Sequence, residues 1–312
     1  MKIVVVEPLS ISVEEFERDA HELLQDDEIV RYASRPKNDA ECIDRVEDAD
    51  VIVVANLPLN ASVLSHCGHL KMVSIAFVGY DHVDVDYCRD HNIAVTNAPT
   101  YPTEAVAELA IGLTLSVLRK IPQGDRAVRS SGTSAGLVGG QLAGKVFGIV
   151  GMGRIGRATA MLAQAFGATT IGFNRSPRDV PGIRQVDLSQ LLRTADIVSL
   201  HVPLTDGTRH LIGAEQLALM KPGAIIINTA RGQIIDNDAL ADALSAGRLA
   251  GAGLDVFDTE PPVNPDNRIL HAPNTVLTPH VGFDTGEALT ARALEALGNI
   301  GDWQSGNDRN RV

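Results

Sequence analysis

Four polar residues follow apolar, strand-like runs in the second half of the chain. Arg231 comes after AIIINTA, Asp255 lies in GAGLDVF, Glu260 lies in the following DTEPP, and His280 comes directly after TVLTP. Each also has an ordinary structural explanation. Arg231 could be a surface residue and Asp255 a turn or helix cap. Glu260 could be a loop carboxylate, and His280 a core or loop histidine. Because ligands bind at the carboxyl ends of strands in open α/β sheets, their succession at strand ends favours a functional site.

Three of these residues together could assist a hydride donor in reducing the carbonyl group of a 2-oxo acid. The guanidinium of Arg231 could hold a carboxylate through two hydrogen bonds and polarise the neighbouring carbonyl. The imidazole of His280 could donate a proton to the developing alkoxide, and the Glu260 carboxylate would orient the ring and stabilise its protonated form. His201, in SLHVPL, is the main alternative histidine, but it has no evident carboxylate partner.

A glycine-rich segment indicates a dinucleotide cofactor. Residues 151–156 read GMGRIG, a G-x-G-x-x-G motif. Glycine triplets also make ordinary tight turns, but this one follows the strand-like VFGIV and opens a helical stretch, as dinucleotide binding requires. Gly151 would permit the turn, Gly153 would let the backbone approach a pyrophosphate, and Gly156 would let the helix pack on the strand. The helix N-terminus, with Arg154 and Ile155, would face the phosphate charge.

The residues after the next strand, GFNRSPRD, favour NADP over NAD. NAD-binding units commonly have an Asp or Glu at this place, which bonds the ribose hydroxyls. This chain has Asn174 followed by Arg175, with Arg178 close by. An amide and two arginines would tolerate or bind a 2′-phosphate, although the arginines could also simply solvate a loop.

Short apolar runs alternate with amphipathic stretches along most of the chain, which is typical of an α/β protein with parallel sheets. Residues 103–121 predict a largely buried helix, residues 130–144 a loop, and residues 285–303 the last helix. The predicted strands are KIVVV, DEIVRYA, DVIVVA, KMVSIAF and IAVTN in the first part, and KVFGIV, TTIGFN, DIVSLHVPL, GAIIINTARG, AGAGLDVF and NTVLTPHVG in the second.

Bulk properties exclude several classes of protein. A length of 312 residues favours two domains, and 45% hydrophobic residues support well-formed cores. A net charge of -12 argues against a nucleic-acid-binding surface. No apolar run is long enough to cross a membrane, and the N-terminus reads as a strand rather than a signal peptide. Cys42, Cys67 and Cys88 show no disulfide or metal spacing, so we expect reduced thiols in a cytoplasmic protein without a metal site.

Seven segments together resemble the D-isomer-specific 2-hydroxyacid dehydrogenase family, over nearly the whole chain. They are FVGYDHVDVD, VTNAPTYPTEAVAELA, GIVGMGRIG, LHVPLTDGTRHLI, MKPGAIIINTARGQIID, AGAGLDVFDTEPP and TPHVG. The resemblance implies the catalytic roles given above for Arg231, Glu260 and His280. It also implies that Arg231 and His280 contact the substrate.

The resemblance implies further binding residues. Backbone amides around Val78 and Gly79 would receive the substrate carboxylate, and Asp255 would hold the nicotinamide carboxamide. The other implied cofactor contacts are Thr103 near the phosphates, Val202, Pro203 and Thr208 on the adenosine side, and Thr229 and Ala230 near the nicotinamide ring.

The family architecture implies two similar parallel-sheet domains with the active site in the cleft between them. Residues 1–98 plus 283–312 would form a flavodoxin-like substrate domain, and residues 99–282 a Rossmann domain for the cofactor. The resemblance also implies a homodimer, formed through residues 99–145.

Two departures from family patterns narrow the expected substrate. Formate dehydrogenases of this superfamily pair the histidine with glutamine, so Glu260 argues against that activity. The 3-phosphoglycerate enzymes usually place basic residues in the substrate loops, whereas VANLPLN and AFVGYDH contain no Lys or Arg. We therefore expect a small unphosphorylated 2-oxo acid such as glyoxylate, hydroxypyruvate or pyruvate. Phe77, where the family often has a small residue, would reshape the pocket.

Three alternative functions are compatible with the sequence. The first is phosphoglycerate dehydrogenase activity, which the neutral loops disfavour. Phosphite oxidation uses the same three catalytic residues, and nothing in the sequence selects it. A non-enzymatic nucleotide sensor, like the corepressors built on this fold, would also retain the trio.

Overall fold

The computed structural model describes residues 1–24, 27–260 and 262–312, which divide into two compact units. Unit 1 comprises Met1–Pro102 with Asp284–Val312, and unit 2 comprises Thr103–Phe283. Pro261, part of the DTEPP segment, lies outside the described residues. The prediction of an α/β protein with two parallel sheets is confirmed, because every strand pairing within both sheets is parallel. The assignment of substrate and cofactor to separate units stays a prediction.

Unit 1 is built on a five-stranded sheet in the order β2-β1-β3-β4-β5, the flavodoxin-like order. All five predicted strands of the first part are present. Its elements are β1 (Lys2–Val5), α1 (Val13–Leu23), β2 (Glu28–Arg31), α2 (Asp39–Val46), β3 (Val51–Val54), α3 (Ala61–Leu64), β4 (Met72–Ile75), α4 (Val85–Asp90) and β5 (Ala94–Thr96), followed by the last helix of the chain.

Unit 2 is built on a seven-stranded sheet in the order β12-β11-β10-β9-β6-β7-β8. Its elements are α5 (Thr103–Leu118), α6 (Ile121–Arg129), β6 (Val146–Val150), α7 (Arg154–Ala165), β7 (Thr169–Phe173), β8 (Arg184–Gln185), α8 (Leu188–Thr194), β9 (Ile197–Leu200), α9 (Ala214–Leu219), β10 (Ile225–Asn228), α10 (Asn237–Ser245), β11 (Gly251–Leu254) and β12 (Thr275–Leu277). The strand order reverses between β6 and β9, and a crevice forms at such a reversal in doubly wound sheets.

The central strands are buried on both faces, which explains their unbroken apolar sequences. β3, β9 and β10 are buried at every residue. In unit 1 the last helix is α11 (Gly286–Gln304). It begins directly after Thr285, the predicted start, whose hydroxyl oxygen accepts a hydrogen bond from the N–H of Ala288. Its alanine and leucine side chains pack with Ile3, Val51 and Met72. Parallel sheets covered by helices on both faces need such continuous Val and Ile runs.

The predicted helix over residues 103–121 is wrong at its C-terminal end. α5 ends at Leu118, Lys120 has a left-handed backbone with φ 52°, and a separate helix begins at Ile121. Pro122 explains the break, because a helical proline lacks an N–H and its ring clashes with the carbonyl four residues earlier, that of Leu118. The loop expected over residues 130–144 contains no helix or strand.

The cysteines are free and buried. Burial raises the pKa of the thiols of Cys42, Cys67 and Cys88 to about 11. Within the described ranges, no three His, Cys, Asp or Glu residues are grouped so that they could hold a metal ion. No helix in that part of the chain has the length and apolar character needed to span a bilayer.

Candidate active site

The imidazole of His280 is paired with a carboxylate. Its Nδ1 lies 2.7 Å from Oε1 of Glu260, and the two side chains are 32% and 18% exposed. Oε2 of Glu260 accepts a hydrogen bond of 3.0 Å from the N–H of Phe257, which fixes the carboxylate. The ring edge also packs against Phe283. Because Nδ1 is engaged by the carboxylate, Nε2 is the ring atom that can exchange a proton with a substrate.

Asp255 holds the loop that carries His280. Its carboxylate is 1% exposed and accepts hydrogen bonds from Oγ1 of Thr278 (2.6 Å) and from the N–H groups of Val281 (2.9 Å) and Gly282 (2.8 Å). The N–H of His280 donates to the Asp255 carbonyl at 2.8 Å. Burial raises the pKa of Asp255, while these hydrogen bonds act in the opposite direction.

The backbone of His280 is left-handed, with φ 56°. This region is unfavourable for residues other than glycine and persists only where the surroundings enforce it, often at functional sites. The hydrogen bonds of Asp255 provide that enforcement on both sides of His280. The contact between Asp255 and a nicotinamide carboxamide stays a prediction.

Arg231 extends from the turn that follows β10. Its Nη1 donates to the Ala230 carbonyl at 2.7 Å, and within the described residues it has no carboxylate partner. The turn is held by Asn228, 1% exposed, whose Nδ2 donates to the Arg231 carbonyl and whose Oδ1 accepts from the Ala230 N–H. Asn228 is absent from the residues predicted above; its signal in the sequence is a single amide that ends an otherwise apolar strand.

Gly232 lets the Arg231 turn cross the backbone that leads to Glu260. A Cβ at this position would lie 2.0 Å from the carbonyl carbon of Phe257 and 2.6 Å from the nitrogen of Asp258. Both are backbone atoms, so neither can move aside as a flexible side chain would. Gly232 therefore fixes the separation of the segments carrying the guanidinium and the carboxylate.

We expect Gly232→Ala to lower the free energy of unfolding by about 1–3 kcal/mol, as overpacking does in other cores. It should also lower kcat/KM, because the Arg231 and Glu260 segments are forced apart. Urea unfolding and steady-state kinetics measure the two effects. Gly286→Ala is the control, since a Cβ there meets no atom within 4 Å. Equal stability and activity of the two variants would contradict the proposed crossing.

The glycine motif forms the turn between β6 and α7. Gly151 has φ +101°, and a Cβ there would lie 2.5 Å from the carbonyl oxygen of His201, just after β9. A Cβ on Gly156 would lie 2.0 Å from the Gly151 carbonyl oxygen, whereas one on Gly153 would meet nothing within 4 Å. The turn therefore sits where the strand order reverses, with open space at Gly153.

The first turn of α7, with Arg154 and Ile155, has no side-chain cap. Its leading N–H groups are therefore available to a ligand, as at other anion-binding helix N-termini. The open space at Gly153 and these uncapped amides fit a pyrophosphate, so the described residues are suited to a dinucleotide.

Two side chains after β7 form hydrogen bonds to the glycine turn, and no local sequence pattern predicts these bonds. Oδ1 of Asn174 accepts from the N–H of Met152 at 3.4 Å, and Nη1 of Arg178 donates to the Met152 carbonyl at 3.3 Å. Arg175 is exposed and forms no ion pair within the described part of the chain. The position expected to carry a ribose-binding carboxylate therefore carries an amide beside an exposed guanidinium.

Most of the remaining predicted cofactor residues lie on loops at strand ends in unit 2. Oγ1 of Thr208 donates to the Pro203 carbonyl at 2.6 Å and accepts from the Thr205 N–H at 2.7 Å, closing the loop after β9 that contains Val202. Thr229 follows β10 and is 9% exposed; among the described residues its Oγ1 has no partner. Ala230 lies next to it, and Thr103 begins α5. The cofactor contacts of these residues stay predictions.

The rival histidine, His201, is unsuited to donate a proton at neutral pH. It directly follows β9, its Nε2 lies 2.9 Å from Oγ of Ser199, and burial lowers its pKa to about 4. The ring is therefore neutral under physiological conditions. This supports the choice of His280 over His201 as the acid.

The depressed pKa of His201 makes stability depend on pH. Its ordinary value is 6.5, so between pH 6.5 and about 4 the unfolded chain binds a proton that the folded chain does not. The free energy of unfolding should fall as the pH is lowered through this window. His201→Asn should reduce the slope, measured by urea unfolding at several pH values. An unchanged slope in His201→Asn would refute the assignment.

Comparison with known proteins identifies the family. Residues 111–282 match the NAD binding domain of D-isomer specific 2-hydroxyacid dehydrogenases. The chain is 40% identical over 271 residues to glyoxylate reductase of Thermococcus litoralis, covering 83% of this chain and 81% of that protein. It is 36% identical over 289 residues to hydroxypyruvate reductase of Thermotoga maritima, covering 91% and 94%.

Two further proteins extend the comparison. D-3-phosphoglycerate dehydrogenase of Methanocaldococcus jannaschii is 40% identical over 298 residues, but the match spans 93% of this chain and only 55% of that protein. A solved acyclic imino acid reductase in complex with NADPH and D-Arg is 32% identical, has a TM-score of 0.89 and covers all of both chains. The chain therefore belongs to the D-isomer specific 2-hydroxyacid dehydrogenase family of NAD(P)-dependent oxidoreductases.

Proposed function

We propose that this protein reduces a small, unphosphorylated 2-oxo acid to the corresponding 2-hydroxy acid, with His280 as the proton donor. The observation that carries the proposal is the 2.7 Å pairing of His280 Nδ1 with Glu260, which leaves Nε2 for the substrate. The relatives named as glyoxylate and hydroxypyruvate reductases support the substrate class. The bound nicotinamide cofactor supplies the hydride that becomes attached to C2.

The residues of the chain act on the carbonyl as it is reduced. Arg231, which has no carboxylate partner in the described part of the chain, binds the substrate carboxylate and polarises the carbonyl. The backbone amides of Val78 and Gly79 bind the same carboxylate. His280 transfers its Nε2 proton to the carbonyl oxygen as negative charge develops there, and Glu260 stabilises the imidazolium before transfer. In the reverse reaction, the neutral imidazole accepts the hydroxyl proton.

The proposed cofactor site uses the glycine turn and the strand ends beside it. Gly153 and the first turn of α7, with Arg154 and Ile155, hold the pyrophosphate, and Thr103 lies near the phosphates. Asp255 holds the carboxamide, as the resemblance implies. Val202, Pro203 and Thr208 line the adenosine side, and Thr229 and Ala230 the nicotinamide side.

We propose a preference for NADPH over NADH. The support is the succession of Asn174 and an exposed Arg175 at the place where NAD-binding Rossmann units commonly carry an Asp or Glu. The structural relative in complex with NADPH shows that this cofactor occurs on the same fold. Values of kcat/KM with each nucleotide test the preference. Arg175→Ala should raise the KM for NADPH and leave that for NADH unchanged; a clear preference of the wild type for NADH would refute the proposal.

A panel of substrates tests the proposed reaction. Oxidation of NADPH and NADH is followed with glyoxylate, hydroxypyruvate, pyruvate and 3-phosphohydroxypyruvate, with His280→Ala as the control. The phosphorylated substrate represents the second candidate function, which the phosphoglycerate dehydrogenase relative favours. If kcat/KM is highest with 3-phosphohydroxypyruvate, phosphoglycerate dehydrogenase activity replaces the proposed function. If no 2-oxo acid is turned over, the result favours a non-enzymatic nucleotide sensor.

We also propose a homodimer formed through residues 99–145. Ile121, Val128 and Val138 lie in this segment and are 53%, 76% and 84% exposed, so their apolar side chains would lose contact with water in such an interface. Light scattering coupled to gel filtration should give about twice the 33.2 kDa mass of the chain.

We also propose a cytoplasmic location for the protein. This location is expected from the unpaired cysteines.

A further inference from the structure

The loop after β4 presents two consecutive backbone amides. Among the residues that the structure describes, neither the N–H of Val78 nor that of Gly79 donates to a protein acceptor, and both residues are partly exposed. Neighbouring N–H groups without partners suit a carboxylate, because backbone donors need an acceptor and a concave pair of them attracts anions. Binding of the substrate carboxylate at this loop belongs to the proposed function, and the inference below rests on it.

The carbonyl ends of the same peptide groups are held inside unit 1. The Phe77 carbonyl accepts from the N–H of Ala98 at 2.9 Å, and the Val78 carbonyl accepts from Nδ2 of Asn97 at 2.7 Å. In a planar trans peptide group, the C=O and the N–H point in opposite directions. Because both carbonyls are directed toward residues 97–98, the N–H groups of Val78 and Gly79 are directed away from that segment.

Asn97 is itself fixed by a buried network. Its carbonyl accepts from Nδ2 of Asn299 at 2.8 Å, and its N–H donates to the Asn310 carbonyl at 3.1 Å. Nδ2 of Asn310 in turn donates to Oδ1 of Asn299 (2.9 Å) and to Oε1 of Glu295 (3.2 Å). Asn97, Asn299 and Glu295 are 8%, 1% and 6% exposed. Satisfied polar networks in such a water-poor environment hold their members rigidly.

We propose that Asn97 is a positioning residue for the substrate carboxylate. Its side-chain amide orients the Val78–Gly79 peptide group so that the Gly79 N–H faces the bound carboxylate. The hydrogen bond to the Val78 carbonyl also polarises this peptide group, which makes its N–H a stronger donor. Asn97 acts through the loop and does not touch the substrate.

Titration calorimetry with oxamate, an unreactive 2-oxo acid analogue, tests this role on the NADPH-saturated protein. Asn97→Ala should weaken oxamate binding and raise the KM for the 2-oxo acid by about ten- to a hundredfold, because a buried hydrogen bond is lost. The dissociation constant of NADPH, whose proposed contacts lie in unit 2, should not change. Asn307→Ala is the matched control, since Asn307 is exposed and forms no side-chain hydrogen bond within the described residues.

Asn97→Asp gives a result that a loss of packing alone would not produce. An ionised carboxylate cannot donate to the Val78 carbonyl, whereas a protonated carboxyl group can. Burial favours the protonated form of the introduced group. The ratio of its oxamate affinity to that of the wild type should therefore rise as the pH is lowered from about 8 to about 5.

Three outcomes would overturn the inference: wild-type oxamate affinity in Asn97→Ala, a ratio for Asn97→Asp that does not change with pH, or absence of oxamate binding by the wild type. If Asn97→Ala does not fold, the pH series of Asn97→Asp decides. The proposed function fails separately, when the wild type binds oxamate but turns over no 2-oxo acid; the oxamate affinities of the variants then still decide the role of Asn97.

Discussion

Replacing His280 with alanine should lower kcat for 2-oxo acid reduction by about a hundredfold to ten-thousandfold, the usual contribution of a positioned general acid. The substitution removes the ring whose Nδ1 lies 2.7 Å from Glu260, and with it the proposed proton donor. The dissociation constant of NADPH should stay close to that of the wild type, because the proposed pyrophosphate contacts come from the glycine turn. Stopped-flow reduction and NADPH fluorescence titration measure the two quantities.

The exposed His271→Ala is the control for this experiment and should turn over substrate at the wild-type rate. His201 cannot substitute for the lost acid at neutral pH, because burial lowers its pKa to about 4. Undiminished turnover by His280→Ala would remove His280 as the acid.

Replacing Arg231 with alanine should raise the KM for the 2-oxo acid and lower kcat together, reducing kcat/KM by about a hundredfold or more. The guanidinium is expected both to bind the carboxylate and to polarise the carbonyl, so its removal affects the ground state and the transition state. Arg231→Lys should recover little activity, because an ammonium group cannot reproduce the two parallel hydrogen bonds of a guanidinium. Steady-state kinetics with glyoxylate measure both variants.

Arg193→Ala, at an exposed position on α8, is the matched control for lost charge. An effect of Arg231→Ala on KM alone would mean that the guanidinium only binds substrate and does not polarise the carbonyl. Full recovery in Arg231→Lys would show that charge suffices without the planar geometry.

Much of the fold and the contact between His280 and Glu260 could be predicted from the sequence. Strands buried on both faces need unbroken apolar runs, so the runs VIVV and III predict β3 and β10. The glycine spacing at 151–156 indicated a turn that only glycine could form, and Gly151 indeed has φ +101°. Polar residues after successive strands indicated where His280 and Glu260 would meet, because the carboxyl ends of neighbouring parallel strands lie at one edge.

The supporting contacts could not be predicted in the same way. Asn97 and Asn299 are 202 residues apart, and no local pattern connects them. The family resemblance implies a cofactor contact for Asp255. It does not predict the hydrogen bonds of Asp255 to the Thr278–Gly282 loop, because these depend on the exact course of that loop. β8, at Arg184–Gln185, is too short to produce a hydrophobic period. Features made by side chains reaching between distant segments are therefore visible only in three dimensions.

The most direct test of the account is kcat for glyoxylate reduction by Glu260→Gln, measured beside the wild type at a single pH. Glutamine preserves the shape of the side chain but carries no negative charge, so it holds the His280 ring less strongly than the carboxylate that lies 2.7 Å from Nδ1. We predict that kcat falls by about tenfold to a hundredfold, the loss expected for a charge-assisted hydrogen bond, while the dissociation constant of NADPH stays unchanged. A wild-type kcat in Glu260→Gln would contradict the claim that the Glu260–His280 pair supports proton transfer.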